Sequence, residues 1–172
     1  MPYGQLIEHD HRYALYFERK LRFTPSFVFD ALVDPNIFAQ WYPFATGVMD
    51  VKVGGHIKFD DGEGAKYHGM ITKLDAPREF EFIEDATDVI HIRLEATETG
   101  TGTLLKFSHT FDSPDWIVPT ATGWHNCLNV FRDIMNGYEA NWPMPDELTA
   151  LAHVYEERFA SNYTKQAGRT TA

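Results

Sequence analysis

Between Val48 and Phe111 the chain alternates apolar and polar residues in short runs, and each run stops at a turn signal. Gly54-Gly55, Asp61-Gly62, Ala76-Pro77, Asp85-Ala86-Thr87 and Gly100-Thr101-Gly102 are the stops. A period of two with breaks this close together predicts a meander of antiparallel strands that buries one face. Ile57 and Phe59; Tyr67, Gly69 and Ile71; Phe80 and Phe82; Ile90, Ile92 and Leu94; and Leu105, Phe107 and His109 each keep one parity and are expected to face inward. His56, Lys58, His91, Arg93, Glu95 and Lys106 take the opposite parity and are expected in solvent, while Glu81 and Glu84 read as exterior brackets of an apolar strand. Asp60, Asp61 and Glu63 belong to a solvated turn rather than to a carboxylate pair in a cavity.

After "DSPDW" the period changes to that of a helix. Ala121, Trp124, Cys127, Leu128, Phe131, Ile134, Met135 and Tyr138 fall on one stripe, and Asn126, Asn129, Arg132 and Asp133 lie away from it. Such a helix covers one face of the sheet. His125 and Cys127 are two residues apart, about 200° around a helix, so they cannot act together as base and nucleophile. Cys127 reads instead as a small buried hydrophobe.

Upstream of the meander, Tyr13–Phe23 reads as a strand with Phe17, Leu21 and Phe23 on its buried side. Thr24-Pro25 and Asp34-Pro35 each supply a capping side chain followed by a proline at the first helical position, which predicts two short helices, the second stopped by Pro43. Downstream, Asp146 to Ala160 repeats a helical pattern through Leu148, Leu151, Ala152, Tyr155 and Phe159, and the tail from Ser161 is expected to fray. This extra helix can pack on its own domain or on a second copy, so a homodimer is possible. The order is strand, two short helices, six strands, long helix, extra helix: class α+β, about seven strands. Residues 1–12 form a polar lead-in, 13–138 one domain, and 139–172 a helical extension and tail.

Fifteen basic and twenty-five acidic residues give a net charge of −10, which disfavours nucleic acid and anionic lipid. No run approaches the roughly 18 apolar residues of a membrane span. A single cysteine and an opening segment without signal-peptide character suggest a reduced, cytoplasmic setting. His9-Asp10-His11 offers too few ligands at too mobile a place for a metal. An aromatic content of 15% is high enough that some rings could line a cavity rather than only fill a core.

The stretches "FTPSFVFDALVDPNIFAQWY", "DVKVGGHIKF", "HGMITKLDAPREFEF", "GTGTLLKFSHTF" and "GWHNCLNVF", in this order over roughly residues 15 to 138, resemble the SRPBCC or START-like superfamily. The chain is most similar to the branch related to the C-terminal domain of heat-shock-protein ATPase activators, departing from its pattern at Tyr42, where a second tryptophan is common. The resemblance implies the helix-grip fold, a curved antiparallel sheet wrapped around a long C-terminal helix, with a cavity between them. Trp41, Tyr42, Phe44, Phe59, Tyr67 and Ile71 are then candidates for the cavity wall. Phe82, Ile92, Phe107, His109, Trp124, Leu128 and Phe131 complete the candidate set.

No phosphate-cradling glycine loop, nucleophile elbow or zinc spacing occurs, so no cofactor, metal or catalytic set is expected. The favoured reading is binding of a small apolar or aromatic ligand without obligatory chemistry. Two alternatives stay open: a chaperone-interacting module, as the branch resemblance suggests, and a cavity enzyme such as a cyclase, hydratase or hydrolase using His109 as acid or base.

Overall fold

The computed structural model of the protein describes residues 2–169, with side chains described as far as residue 161. Its sheet comprises β1 (Gln5–His9), β2 (Arg12–Leu21), β3 (Ala45–Met49), β4 (His56–Asp60), β5 (Lys66–Asp75), β6 (Glu79–Glu84), β7 (Asp88–Ala96) and β8 (Thr103–Phe111). All eight strands are antiparallel, in the spatial order β1-β2-β8-β7-β6-β5-β4-β3. The meander therefore runs from β3 to β8, and β2 closes onto its last strand. This is one strand more than the seven predicted. The addition is β1, in the polar lead-in: as an edge strand it leaves four of its five residues exposed, so it carries no alternation to read. Asp10 and His11 join it to β2 with φ of 50° and 64°, the left-handed pair that suits a two-residue hairpin turn. The His9-Asp10-His11 stretch is thus at a turn, with His9 paired to Asp10 in solvent.

Two short helices connect β2 to β3. Thr24 caps α1 (Pro25–Leu32) by accepting from the Phe27 amide, and Asp34 caps α2 (Pro35–Trp41) by accepting from the Asn36 and Ile37 amides. Each cap satisfies amides that the first helical turn leaves without a partner, contributing about 1 kcal/mol. At the β3–β4 turn, a Cβ on Gly55 would lie 1.9 Å from the Asp50 carbonyl oxygen, so only glycine fits.

A single 3-10 turn, Pro114–Trp116, leads into the long helix α3 (Ile117–Met135), which lies in the grip of the sheet. Its buried stripe includes Ala121, Trp124, Cys127, Leu128, Phe131 and Met135, as the helical period predicts. Tyr138 leaves that stripe and is exposed, because the helix ends before it. Gly137, at φ 86°, donates to the Ile134 carbonyl while Tyr138 donates to that of Asp133, the paired closure that terminates a helix at a left-handed residue.

The last helix, α4 (Pro145–Arg169), packs on the outer side of α3 in its own domain. It continues past Ser161, where fraying was expected; residues 170–172 lie outside the described residues. Its anchor is Tyr155, fully buried, whose hydroxyl accepts from the Gly4 amide at 2.9 Å and bonds His125 Nδ1 at 2.7 Å. The hydroxyl thus ties the N-terminal segment and α3 to one point on α4. Below this contact the buried Arg19 donates to the carbonyls of Pro2, Glu18 and His125 and to Asn129 Oδ1. Among the described residues no helix is long and apolar enough to cross a membrane.

Candidate functional site

Alternation along the sheet determines which polar side chains enter the concave face. Glu84 shares the parity of Phe80 and Phe82, Asp88 that of Ile90 and Ile92, and His109 that of Leu105 and Phe107. The register then gathers them at one end of the sheet. Glu84 is the cross-strand partner of Asp88, and His109 is that of Ile90, diagonal to Asp88. Expecting Glu84 on the exterior is therefore incorrect: counting by twos from Phe82 turns it inward, where it is partly buried.

These groups are held by a chain of hydrogen bonds. Trp124 Nε1 donates to His109 Nδ1 at 2.8 Å, and His109 Nε2 lies 2.9 Å from Asp88 Oδ2. An indole nitrogen only donates, so Nδ1 accepts and the ring proton sits on Nε2, pointing to Asp88. Beside this pair, Tyr42 donates to Glu84 Oε2, and the Tyr67 hydroxyl donates to Oε1 at 3.1 Å. Burial pushes the Glu84 carboxyl above its usual range, against the opposing pull of the two phenols and His109. Burial, reinforced by Glu84, likewise drives the Tyr42 phenol well up.

Above this floor lies a cleft of about 480 Å³ bordered by Phe44, Glu84, Asp88, His109, Phe111 and Trp116. It adjoins a second, more apolar recess of about 340 Å³, where Pro119, Gly123 and Trp124 join Phe44, His109 and Trp116. Phe44 and Trp116 are 53% and 63% exposed, so the two rings form a lip rather than a wall of the core. Phe44 has φ 62° in the turn after α2, a left-handed conformation that a bulky residue adopts at a cost of about 1–2 kcal/mol. A larger groove of about 790 Å³ between the start of α3 and α4, bordered by Asp115, Val118, Thr122, Leu148 and Glu156, includes none of Glu84, Asp88 and His109.

The candidate residues divide accordingly. Phe44, His109 and Trp124 border the cleft, and Tyr42 and Tyr67 reach its floor through Glu84. Trp41, Phe59, Ile71, Phe82, Ile92, Phe107, Leu128 and Phe131 sit deeper and are almost fully buried. Their rings touch one another: Trp41 meets Phe131 at 5.0 Å, Phe38 stacks on Tyr42 at 4.5 Å, and Phe107 meets Trp124 at 4.6 Å. Sequence reasoning did not single out Asp88 and Trp116. The parity of β7 would have indicated Asp88; Trp116, in an irregular loop, carries no such signal.

Residues 22–136 match the family described as activator of Hsp90 ATPase homolog 1-like protein. The chain belongs to this family. Solved structures with the same fold include the conserved protein of unknown function EF2215 from Enterococcus faecalis, 18% identical, TM-score 0.73, covering 92% of this chain and 91% of that one. CalU16 from Micromonospora echinospora is 21% identical, TM-score 0.67, with 92% and 94% covered. The Aha1 dimer from Colwellia psychrerythraea is 20% identical, TM-score 0.59, with 71% of this chain and 95% of that chain covered. No curated protein matches the chain. Within the family match fall Tyr42, Phe44, Glu84, Asp88, His109, Trp116 and Trp124, so the cleft lies inside the matched region rather than in the flanking β1 or α4.

Proposed function

We propose that this member of the activator of Hsp90 ATPase homolog 1-like family binds a small, largely apolar molecule with one polar end in the cleft between the sheet and α3. The supporting observation is the pairing of an exposed aromatic lip, Phe44 and Trp116, with a convergent polar floor of Glu84, Asp88 and His109. An apolar surround with a few fixed polar groups is the usual composition of a small-molecule site. Binding suits the floor better than acid–base chemistry: both His109 nitrogens and both Glu84 oxygens are engaged by protein partners.

A thermal-shift screen of diverse lipophiles tests the reading. A ligand at 100 times its dissociation constant stabilises the fold by about 2.7 kcal/mol, and the gain should vanish in Phe44→Ala and Trp116→Ala. No shift with any compound, or shifts that both variants retain, overturns it.

A second reading follows from the family description and from the Aha1 dimer among the structural neighbours: a contact with a chaperone or with a second copy. Exposed Tyr138, Trp142 and Met144, between α3 and α4, supply apolar surface for it. Capture of Hsp90 by the purified chain, and sedimentation over a range of concentrations, separate these outcomes from a monomeric ligand binder. The single buried thiol, Cys127, pushed up to about 12 by burial, suits a reducing cytoplasm without requiring one.

A further inference from the structure

Two sets of carboxylates on the sheet differ in their partners. Several outward-facing ones have cations: Glu79 and Glu81 face Lys73, Glu95 faces Lys106 and Arg93, and Asp75 faces Arg78. Those at the cleft floor do not. The partners of Glu84 are two phenols, and Asp88 bonds an imidazole whose proton sits on the shared nitrogen. Among the described residues no lysine or arginine forms an ion pair with either.

A carboxylate withdrawn from water without a cation is costly, which applies to Glu84; the Asp88 side chain is 35% exposed and reaches the solvent of the cleft. The neighbouring charges reinforce the sign. Asp112, also on the cleft border, is matched by Arg12 at 2.6 Å, which also donates to the Thr87 carbonyl. Arg12 thus neutralises Asp112 and leaves Glu84 and Asp88 uncompensated. Asp115 stands in the first turn leading into α3, where its charge offsets the pull of a helix start on anions. The lip contributes the other half: Phe44 and Trp116 are exposed aromatic rings on the cleft border, and an aromatic ring attracts a cation to its face. The bordering groups are therefore carboxylates plus aromatics, the pair of features that recognises an ammonium on an apolar body. Among the described residues no three His, Cys, Asp or Glu side chains are grouped to hold a metal ion, so an organic cation fits the arrangement better than a metal does.

We infer that the cleft selects a protonated amine carried on an aromatic or aliphatic body, with the ammonium at Glu84 and Asp88 and the body between Phe44 and Trp116. This rests on the cleft being a ligand site and adds the charge of the ligand. Three probes with a common indole body decide it: tryptamine, tryptophol and indole-3-propionate, titrated calorimetrically at pH 7. Tryptamine should bind on the order of tenfold more tightly than tryptophol, and indole-3-propionate more weakly than both. In Glu84→Gln and Asp88→Asn the ratio of tryptamine to tryptophol affinity should fall toward one; thermal unfolding without ligand checks that both variants fold. Raising the salt concentration on the unaltered chain supplies a readout independent of the variants, weakening tryptamine and sparing tryptophol. Tryptophol or indole-3-propionate binding as tightly as tryptamine, tryptamine binding insensitive to salt and to both variants, or no binding by any of the three overturns the amine inference. The cleft reading beneath it is removed by the wider screen, through no binding by any lipophile or binding that Phe44→Ala and Trp116→Ala both retain.

Discussion

Trp124 and His125 are consecutive residues of α3, and they serve opposite sides of it. Trp124 turns to the sheet and donates to His109 at 2.8 Å; His125 turns away and shares a hydrogen bond with the Tyr155 hydroxyl at 2.7 Å. Both contacts join an aromatic side chain to an imidazole nitrogen, yet their surroundings differ in sign. The front contact adjoins Glu84 and Asp88, carboxylates that form no ion pair with a lysine or arginine among the described residues. The back contact adjoins Arg19, a buried guanidinium whose partners in the structure are carbonyl and amide oxygens. Similar hydrogen bonds thus hold a site open to solvent on one side and a closed seam on the other. What distinguishes them is whether a second helix packs over the contact, as α4 does at the back through Tyr155.

Breaking the front contact should have the largest effect. Trp124 is 5% exposed and its ring meets Phe107 at 4.6 Å and Tyr42 at 5.0 Å. Trp124→Ala should lower the free energy of unfolding in urea by about 3–5 kcal/mol, and Trp124→Phe, which keeps most of the bulk and loses the donor, by about 1–3 kcal/mol. If the alanine variant is as stable as the parent, the helix does not depend on this face.

Acid should distinguish the two faces by the sign of its effect. Burial, then Arg19 and Arg132, lowers His125 to about 4 from 6.5. As the pH falls the unfolded chain takes up this proton first, so stability that is complete above about 6.5 is lost between there and about 4, by up to ~1.4 kcal/mol per pH unit. Glu84 acts in the opposite direction: its raised value lets the folded chain bind a proton before the unfolded one, a contribution present at low pH and lost as pH rises through the folded value. Urea titrations over this range should show a flattened acid loss in His125→Gln and a steeper one in Glu84→Gln. Parallel profiles for parent and variants would show that neither group carries the effect.

A smaller change is expected from Tyr155→Phe. It removes one hydroxyl and leaves the Gly4 amide and His125 Nδ1 without that partner, for about 1–3 kcal/mol. Ligand binding at the front should stay as it is, and a parallel loss there would show that the two faces are coupled. The smallest change belongs to Phe44→Gly. Relief of the left-handed backbone and loss of a half-exposed ring nearly cancel, so stability should move by less than about 1 kcal/mol while binding of the lipophile falls.

The contrast also explains what could be read from the chain. Period-two runs with turn signals located β4 to β8, and the caps Thr24-Pro25 and Asp34-Pro35 located α1 and α2, because those signals are local. His109 was found because it continues an apolar parity. Glu84 and Asp88 were missed although they obey the same parity, since charged residues at strand ends resemble turn residues. The His125–Tyr155 bond joins residues on two helices whose relative rotation no periodicity fixes, and β1 is too exposed to alternate. Local order was legible; charge turned inward at an end, and contacts between separate elements, were not.

The strand order also bears on synthesis. From β3 to β8 each strand pairs with its successor, so every hairpin closes a short loop. The pairing of β2 with β8 differs, joining Leu21 to Thr103 and Tyr13 to Phe111 across nearly the whole domain. Closing so long a loop costs more entropy, and topologies that depend on such pairings fold more slowly. A growing chain that has not yet delivered β8 therefore holds β2 with β1 as its one sheet neighbour and the other edge unsatisfied. That edge is open to pairing with other chains until the strand bearing His109 leaves the ribosome.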